Sequence, residues 1–252
     1  RYVRIPFDEP GLGVSRERLD EILAIAAGVC SGHFVERVEP MKKGFRVYGA
    51  DAAGRTFHLD ADFVIDAAGK ISRFTGRRTH DQFGVQYYAQ RSTEATLEFS
   101  FFEGGYGGSV PVEGGRSNSC FLVDKTLVGK YLDREGCIVT GSVGYTRTRG
   151  PYLSVGDAGG MIDPFCGEGI RHAMESGQLA GQIVSEGIDA GLSYAAIRES
   201  YDRARRRAWG RKRAMGSILR WILGHRLPKG AAFALGWRCP SAGRKLLDQL
   251  WR

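Results

Sequence analysis

No apolar run in this chain of 252 residues approaches the roughly 18 that a membrane-spanning helix requires, so the sequence reads as that of a soluble protein. The five cysteines, Cys30, Cys120, Cys137, Cys166 and Cys239, are odd in number and lack any C-x-x-C or histidine-paired spacing. That argues against a disulfide framework and against a metal site, and it makes reduced thiols in a cytoplasmic setting the expectation. No signal-peptide pattern stands at Arg1-Tyr2-Val3-Arg4. Negative charge is outweighed by positive, for a net of +8, yet no recognition motif accompanies the excess and nucleic-acid binding is not expected. With 42% hydrophobic residues the chain has enough apolar material for one or two domains with a large core.

The most informative stretch runs from Gly156 to Ile170, GDAGGMIDPFCGEGI, because it joins a strand end, a carboxylate and a glycine-punctuated helix start. Tyr152 to Val155 reads as a short buried strand that delivers Asp157 at its C-terminal end, where open α/β sheets place ligands. An acid there can accept hydrogen bonds from ribityl or ribose hydroxyls. Gly167 and Gly169 allow close backbone approach, and residues 170 to 184 repeat apolar and small side chains at helical spacing. The free N–H groups and positive dipole end of that helix favour an electron-rich ring edge.

In the wording D-P-x-x-G-E-G-I-x-x-A-x-x-S-G this run resembles the GD motif of FAD-dependent oxidoreductases, and within them the geranylgeranyl reductase-like branch of the flavin monooxygenase superfamily. The resemblance implies that Gly156 and Asp157 hold the ribityl chain. It also implies that Pro164 together with Gly167, Glu168, Gly169 and Ile170 lines the isoalloxazine, so that FAD is the cofactor.

Two further segments carry the same resemblance. Asp62-Phe63-Val64-Ile65-Asp66-Ala67-Ala68-Gly69-Lys70-Ile71-Ser72 reads as a β-branched strand ending at a glycine turn, where relatives usually have D-x-V-I-G-A-D-G-x-x-S. Ala68 replaces the second Asp of that pattern, which weakens the case for direct NAD(P)H use and leaves room for a separate electron donor. Upstream, Ser15 is a candidate N-cap for a helix with apolar residues at 19, 22, 23 and 26, matching the family's R-x-x-L-D-x-x-L helix. There the resemblance gives Arg16 the FAD phosphates and Val35, in a following strand meander, contact with adenine. Taken alone, Arg16 reads equally as a solvated first-turn charge.

The dinucleotide cradle of such folds, a strand followed by G-x-G-x-x-G, is missing from these residues. Gly11-Leu12-Gly13 follows Glu9-Pro10, and Gly104-Gly105-Tyr106-Gly107-Gly108 has no helix behind it; both read as loops. The expectation is therefore a distal portion of a longer flavoprotein, or a site completed by another polypeptide. Segments 83–91, 97–102, 109–112 and 118–123 alternate like strands of an antiparallel sheet that would bind substrate. Tyr106 to Pro111 echoes the Y-x-W-x-F-P element of geranylgeranyl reductases with Gly108 in place of Trp.

Arg203, Arg205, Arg206, Arg207, Arg211, Lys212, Arg213 and Arg220 crowd one helical segment that also repeats apolar residues at helical spacing. The preferred reading packs the apolar stripe on a sheet and leaves the basic side solvated, with contact to an anionic membrane surface as the second reading. Trp221, Leu223, Phe233, Leu235, Trp237 and the residues to Trp251 make the tail apolar, fitting a lid over a greasy pocket or another core layer.

Taken together these features predict an α+β chain. Residues 1–80 and 151–190 form the remnant of an α/β FAD domain of the three-layer ββα type. Residues 81–150 form an antiparallel substrate-binding sheet, and 191–252 a helical C-terminal cap. The expected activity is FAD-dependent redox chemistry on a hydrophobic small molecule. A flavin monooxygenase or halogenase is the alternative, and a non-catalytic basic membrane-associated or binding fragment is a third reading.

Overall fold

The computed structural model describes residues 12–77, 82–90, 96–134, 136–142, 146–148, 150–162 and 167–224. Along the chain, helix α1 (Arg16–Ala27) precedes strands β1 (His33–Pro40), β2 (Phe45–Asp51) and β3 (Thr56–Ala61). Two short strands follow, β4 (Ile65–Asp66) and β5 (Thr75–Arg77). Then come β6 (Gln82–Gln90), β7 (Glu98–Phe102), β8 (Gly105–Val112), β9 (Arg116–Asp124) and β10 (Ile138–Ser142). Strands β11 (Thr146–Thr148) and β12 (Leu153–Ser154) lead into helices α2 (Gly169–Asp189) and α3 (Tyr194–Gly224). The result is the mixed α+β composition that the sequence predicts.

By its contacts the chain divides into two compact units, Arg1–Val29 with Thr79–Gly144, and Cys30–Arg78 with Tyr145–Arg252. The first contains α1 and a five-stranded antiparallel sheet of order β10-β6-β9-β8-β7. Ser15 caps α1 by accepting from the Arg18 N–H at 3.2 Å, and Gly28 closes the helix in the left-handed conformation at φ 60°. The Ser15 N–H donates to Glu113 Oε2 at 2.9 Å, which ties the helix start to the turn between β8 and β9 and helps hold the Glu113 carboxyl below its ordinary range. Val85, Val112, Leu122 and Val123 are buried in this unit.

The glycine-rich stretch before Pro111 differs from its expected loop. Gly105 to Gly108 begin β8 in register with β7 and β9, Phe101 facing Tyr106 and Cys120 facing Gly108. Neighbouring backbone and rings leave no room for side chains: a Cβ on Gly107 would lie 2.4 Å from both the Cys120 carbonyl and the Phe121 ring. Close cross-strand approach, and not a turn, is why glycine stands here.

In the second unit, β1, β2 and β3 form an antiparallel meander, irregular in register between Val35 and Arg37. β5 pairs with β11, while β4 and β12 pair parallel, Leu153 with Ile65 and Ser154 with Asp66. Leu153, Val155, Ala180 and Tyr201 make the core between β12, α2 and α3, with Leu179, Ile183, Val184 and Tyr194 packed around it. The two helices approach closely at Gly187, where a Cβ would lie 2.4 Å from the Ile197 side chain. Residues 225–252, with the apolar tail expected to form a lid, lie outside the described residues.

Candidate functional site

Two parallel strands end at the same edge of the second unit. The chain leaves β4 at Asp66 and turns through Gly69–Ile71; it leaves β12 and turns through Gly156–Gly159, and these two 3-10 turns pack against each other. Asp66 is buried and structural: its carboxylate accepts from the Ala68 N–H at 3.0 Å and from the Ser72 hydroxyl at 2.6 Å. Ser72 Oγ in turn accepts from the Phe74 N–H at 3.1 Å. The Asp66 carboxylate thus braces its own loop, a role that the sequence pattern did not reveal.

At the second exit Gly156 has φ 55°, a left-handed conformation that favours glycine, and a Cβ there would lie 3.2 Å from that of Ala173. Its N–H donates to Ser176 Oγ at 2.8 Å, and the Ser176 hydroxyl donates to the Ala173 carbonyl at 3.2 Å. These contacts explain two letters of the motif downstream of Ile170: Ala173 keeps α2 close to the turn, and Ser176 satisfies a buried donor. Asp157 is largely withdrawn from water, which pushes its pKa up, with the charge of Lys70 acting in the opposite direction.

The start of α2 lies on the same unit. Gly167 has φ 65°, and a Cβ on either Gly167 or Gly169 would meet no atom of the described residues within 4 Å. Glu168 is buried, and Ile170 is exposed. The Glu168 side chain makes no capping bond to the helix, and an intrahelical bond runs from the His172 N–H to the Glu168 carbonyl at 2.8 Å. Asp163 to Cys166, including Pro164, lie outside the described residues.

One face of α3 grips this edge. The Tyr194 hydroxyl donates to the Pro151 carbonyl at 2.6 Å, and Arg198 donates to the Pro151 and Gly150 carbonyls, each at 3.0 Å. Tyr201 donates to the Ser154 carbonyl at 3.0 Å, and Arg205 to the Gly159 carbonyl. Burial pushes both tyrosine hydroxyls up to about 12, which keeps them protonated as donors. Two turns beyond Arg205, Lys212 reaches both oxygens of Glu168, at 3.1 and 3.3 Å. The expected solvated basic side is therefore corrected in part. Arg203, Arg206, Arg207 and Arg211 are exposed, but Arg205 and Lys212 turn inward, because helical spacing sets them on the stripe of Tyr194, Arg198 and Tyr201.

The structure brings Gly156, Asp157, Gly167, Glu168, Gly169 and Ile170 into one unit together with Val35, which is half-buried in β1. Arg16 belongs to the other unit, where its guanidinium pairs with Asp20 at 2.9 Å on the exposed first turn of α1. Ser176, Arg205 and Lys212 were not singled out as site residues by the sequence; only the S-G of the motif pointed to the first of them. Among the described residues no group of His, Cys, Asp and Glu could hold a metal ion, and no helix is long and apolar enough to cross a membrane.

The architecture is one found in flavin-dependent enzymes of known structure. A triple mutant of the flavin-dependent brominase Bmp2 superposes with a TM-score of 0.71 at 15% identity over 94% of this chain and 70% of that one. A geranylgeranyl bacteriochlorophyll reductase-like protein from Thermoplasma acidophilum gives 0.67 at 19% over 84% and 64%.

In sequence the chain is similar to curated digeranylgeranylglycerophospholipid reductases. It is 33% identical over 128 residues to the digeranylgeranylglycerophospholipid reductase of Methanocella arvoryzae, covering 50% of this chain and 32% of that protein. It is 27% identical over 249 residues to the enzyme of the same name from Methanothrix thermoacetophila, covering 81% and 62%. The chain thus spans between about a third and under two thirds of the length of these curated relatives. No protein-family model matches it.

Proposed function

We propose that this chain carries the ribityl and isoalloxazine side of an FAD site in an oxidoreductase that acts on a hydrophobic, polyprenyl-type lipid. The observation that carries the reading is the shared edge of β4 and β12, where the half-buried Asp157 and the glycine-flanked start of α2 are held by side chains from α2 and α3. Parallel strands place ligands at their carboxyl ends, and this is such an end. The finer architecture that the reading implies is the three-layer ββα FAD domain, with β4 and β12 as part of its parallel layer and the five-stranded sheet as the substrate domain.

The residues present fit the cofactor. Asp157 offers a carboxylate acceptor where hydroxyl donors are needed, at a place where burial raises its pKa. No described residue crowds Gly167 or Gly169, which suits the approach of a flat ring to the start of α2, whose dipole favours negative charge. When bound, FAD supplies hydride transfer between its N5 position and the substrate. The protein's own part is to bind and orient: Ser176 and Arg205 fix the Asp157 turn, and Glu168 and Lys212 fix the helix start. No described side chain is assigned as acid or base. Arg16 and Val35 keep their proposed roles at the phosphates and adenine, and Pro164 its place against the ring.

Titrating the full-length protein with FAD and recording the visible spectrum tests the site. A saturable perturbation at one FAD per chain is expected; a spectrum that stays that of free FAD would sink the reading. The exposed arginines of α3 suit the headgroups of an anionic membrane, where such a substrate resides. Cosedimentation with anionic vesicles, and not with neutral ones, is the expected result; equal sedimentation with both would remove the arginines from that role. The weak case for NAD(P)H at Ala68 leaves a separate protein as the proposed electron donor.

A further inference from the structure

We propose that Lys212 is a positioning residue of the flavin site, one that keeps the Glu168 carboxylate away from the N–H groups at the start of α2. The inference rests on reading that helix start as the isoalloxazine side of an FAD site. Glu168 stands between two glycines and immediately before α2, so it is the side chain best placed to close the helix end. A carboxylate close to a helix start is drawn toward it, since its oxygens can accept from first-turn N–H groups and its charge suits the positive dipole end. Here it makes no such cap.

The carboxylate is instead drawn aside. Lys212 Nζ lies 3.1 Å from one oxygen and 3.3 Å from the other, with the two side chains only 17% and 8% exposed, and Arg171 approaches the first oxygen at 3.4 Å. Lys212 can hold this place because α3 is itself anchored along the same face. Tyr201 and Arg205 fix its rotation on the carbonyls of Ser154 and Gly159. The helix end that emerges is bordered by Gly167 and Gly169, with no atom of the described residues within 4 Å of where either Cβ would be. A positively polarised helix start that the Glu168 carboxylate does not cover suits an electron-rich ring edge, and an acid folded over it would compete with that ring.

The account therefore assigns Lys212 an effect that depends on Glu168, which a purely packing role would not have. The test is a double-mutant cycle on the full-length protein, read as FAD affinity from fluorescence titration, with the melting temperature of each ligand-free variant recorded alongside. Lys212→Met is expected to weaken FAD binding roughly fivefold or more, as Glu168 swings onto the helix end, while Lys212→Arg stays near wild type. In a Glu168→Ala background the same Lys212→Met change is expected to cost less than about twofold, because nothing remains to compete. Should Lys212→Met not fold, Lys212→Gln takes its place in the cycle. A Lys212 substitution that weakens FAD equally in both backgrounds, or in neither, overturns the proposal while leaving the flavin site itself standing. Absence of any saturable FAD binding by the wild-type protein would defeat the underlying reading, and this inference with it.

Discussion

Asp157→Ala in the full-length protein is expected to weaken FAD binding about tenfold or more, since it removes hydrogen bonds to a charged acceptor worth on the order of 1.5–3 kcal/mol. The ligand-free protein should respond in the opposite sense. Burial raises the Asp157 pKa, so the fold favours the neutral acid, and that contribution is lost as pH rises from the ordinary carboxylate range through the raised value. Asp157→Asn carries no such penalty. Its melting temperature without FAD is expected to exceed that of wild type by a margin that opens across this window and closes in acid, where the wild-type side chain is neutral too. Saturating FAD should reverse the order, because the cofactor's donors reward the charge. Calorimetry of both proteins across pH, with and without FAD, measures this. A variant that binds FAD as tightly as wild type, or a gap that narrows as pH rises, would mean that Asp157 does not hold the ribityl chain. An acid whose desolvation is tolerated for binding is a familiar exchange of stability for function.

Some of this was open to reading in the sequence because it depends on local chemistry. Ser15 caps α1 as its side chain and position require, and the glycine-punctuated run after Val155 opens α2 close to where helical spacing begins. Other features depend on what lies across the fold. Gly105 to Gly108 look like a loop until Phe121, Cys120 and Glu98 are seen to fill the space above them. Arg205 and Lys212 look like two more surface charges, because a helical repeat records which face a residue occupies and not whether carbonyls and a buried acid wait there. Strands β5, β10 and β11 carry no clear alternation of their own and are held by pairing with partners distant in the chain. Asp66 was hidden for the same reason, since only the return of Ser72 shows that its carboxylate is spent within its own loop.

Reduction is separated from oxygenation by the balance of atoms in the product, and the effect is all or none. The proposed reading, from the resemblance over Glu168 to Ile170, is a reductase. Ala68 weakens the case for a pyridine-nucleotide-driven hydroxylase. Reduction of a carbon–carbon double bond takes up two electrons and two protons, and oxygen has no part in it. The decisive measurement is mass spectrometry of the product after the full-length protein, loaded with chemically reduced FAD, meets a polyprenyl lipid in the absence of oxygen. The account predicts flavin reoxidation accompanied by a product two hydrogens heavier than the substrate. Turnover that requires oxygen and inserts an oxygen atom, or a halogen when halide is supplied, would contradict it and assign the chain to the chemistry of the monooxygenases and halogenases.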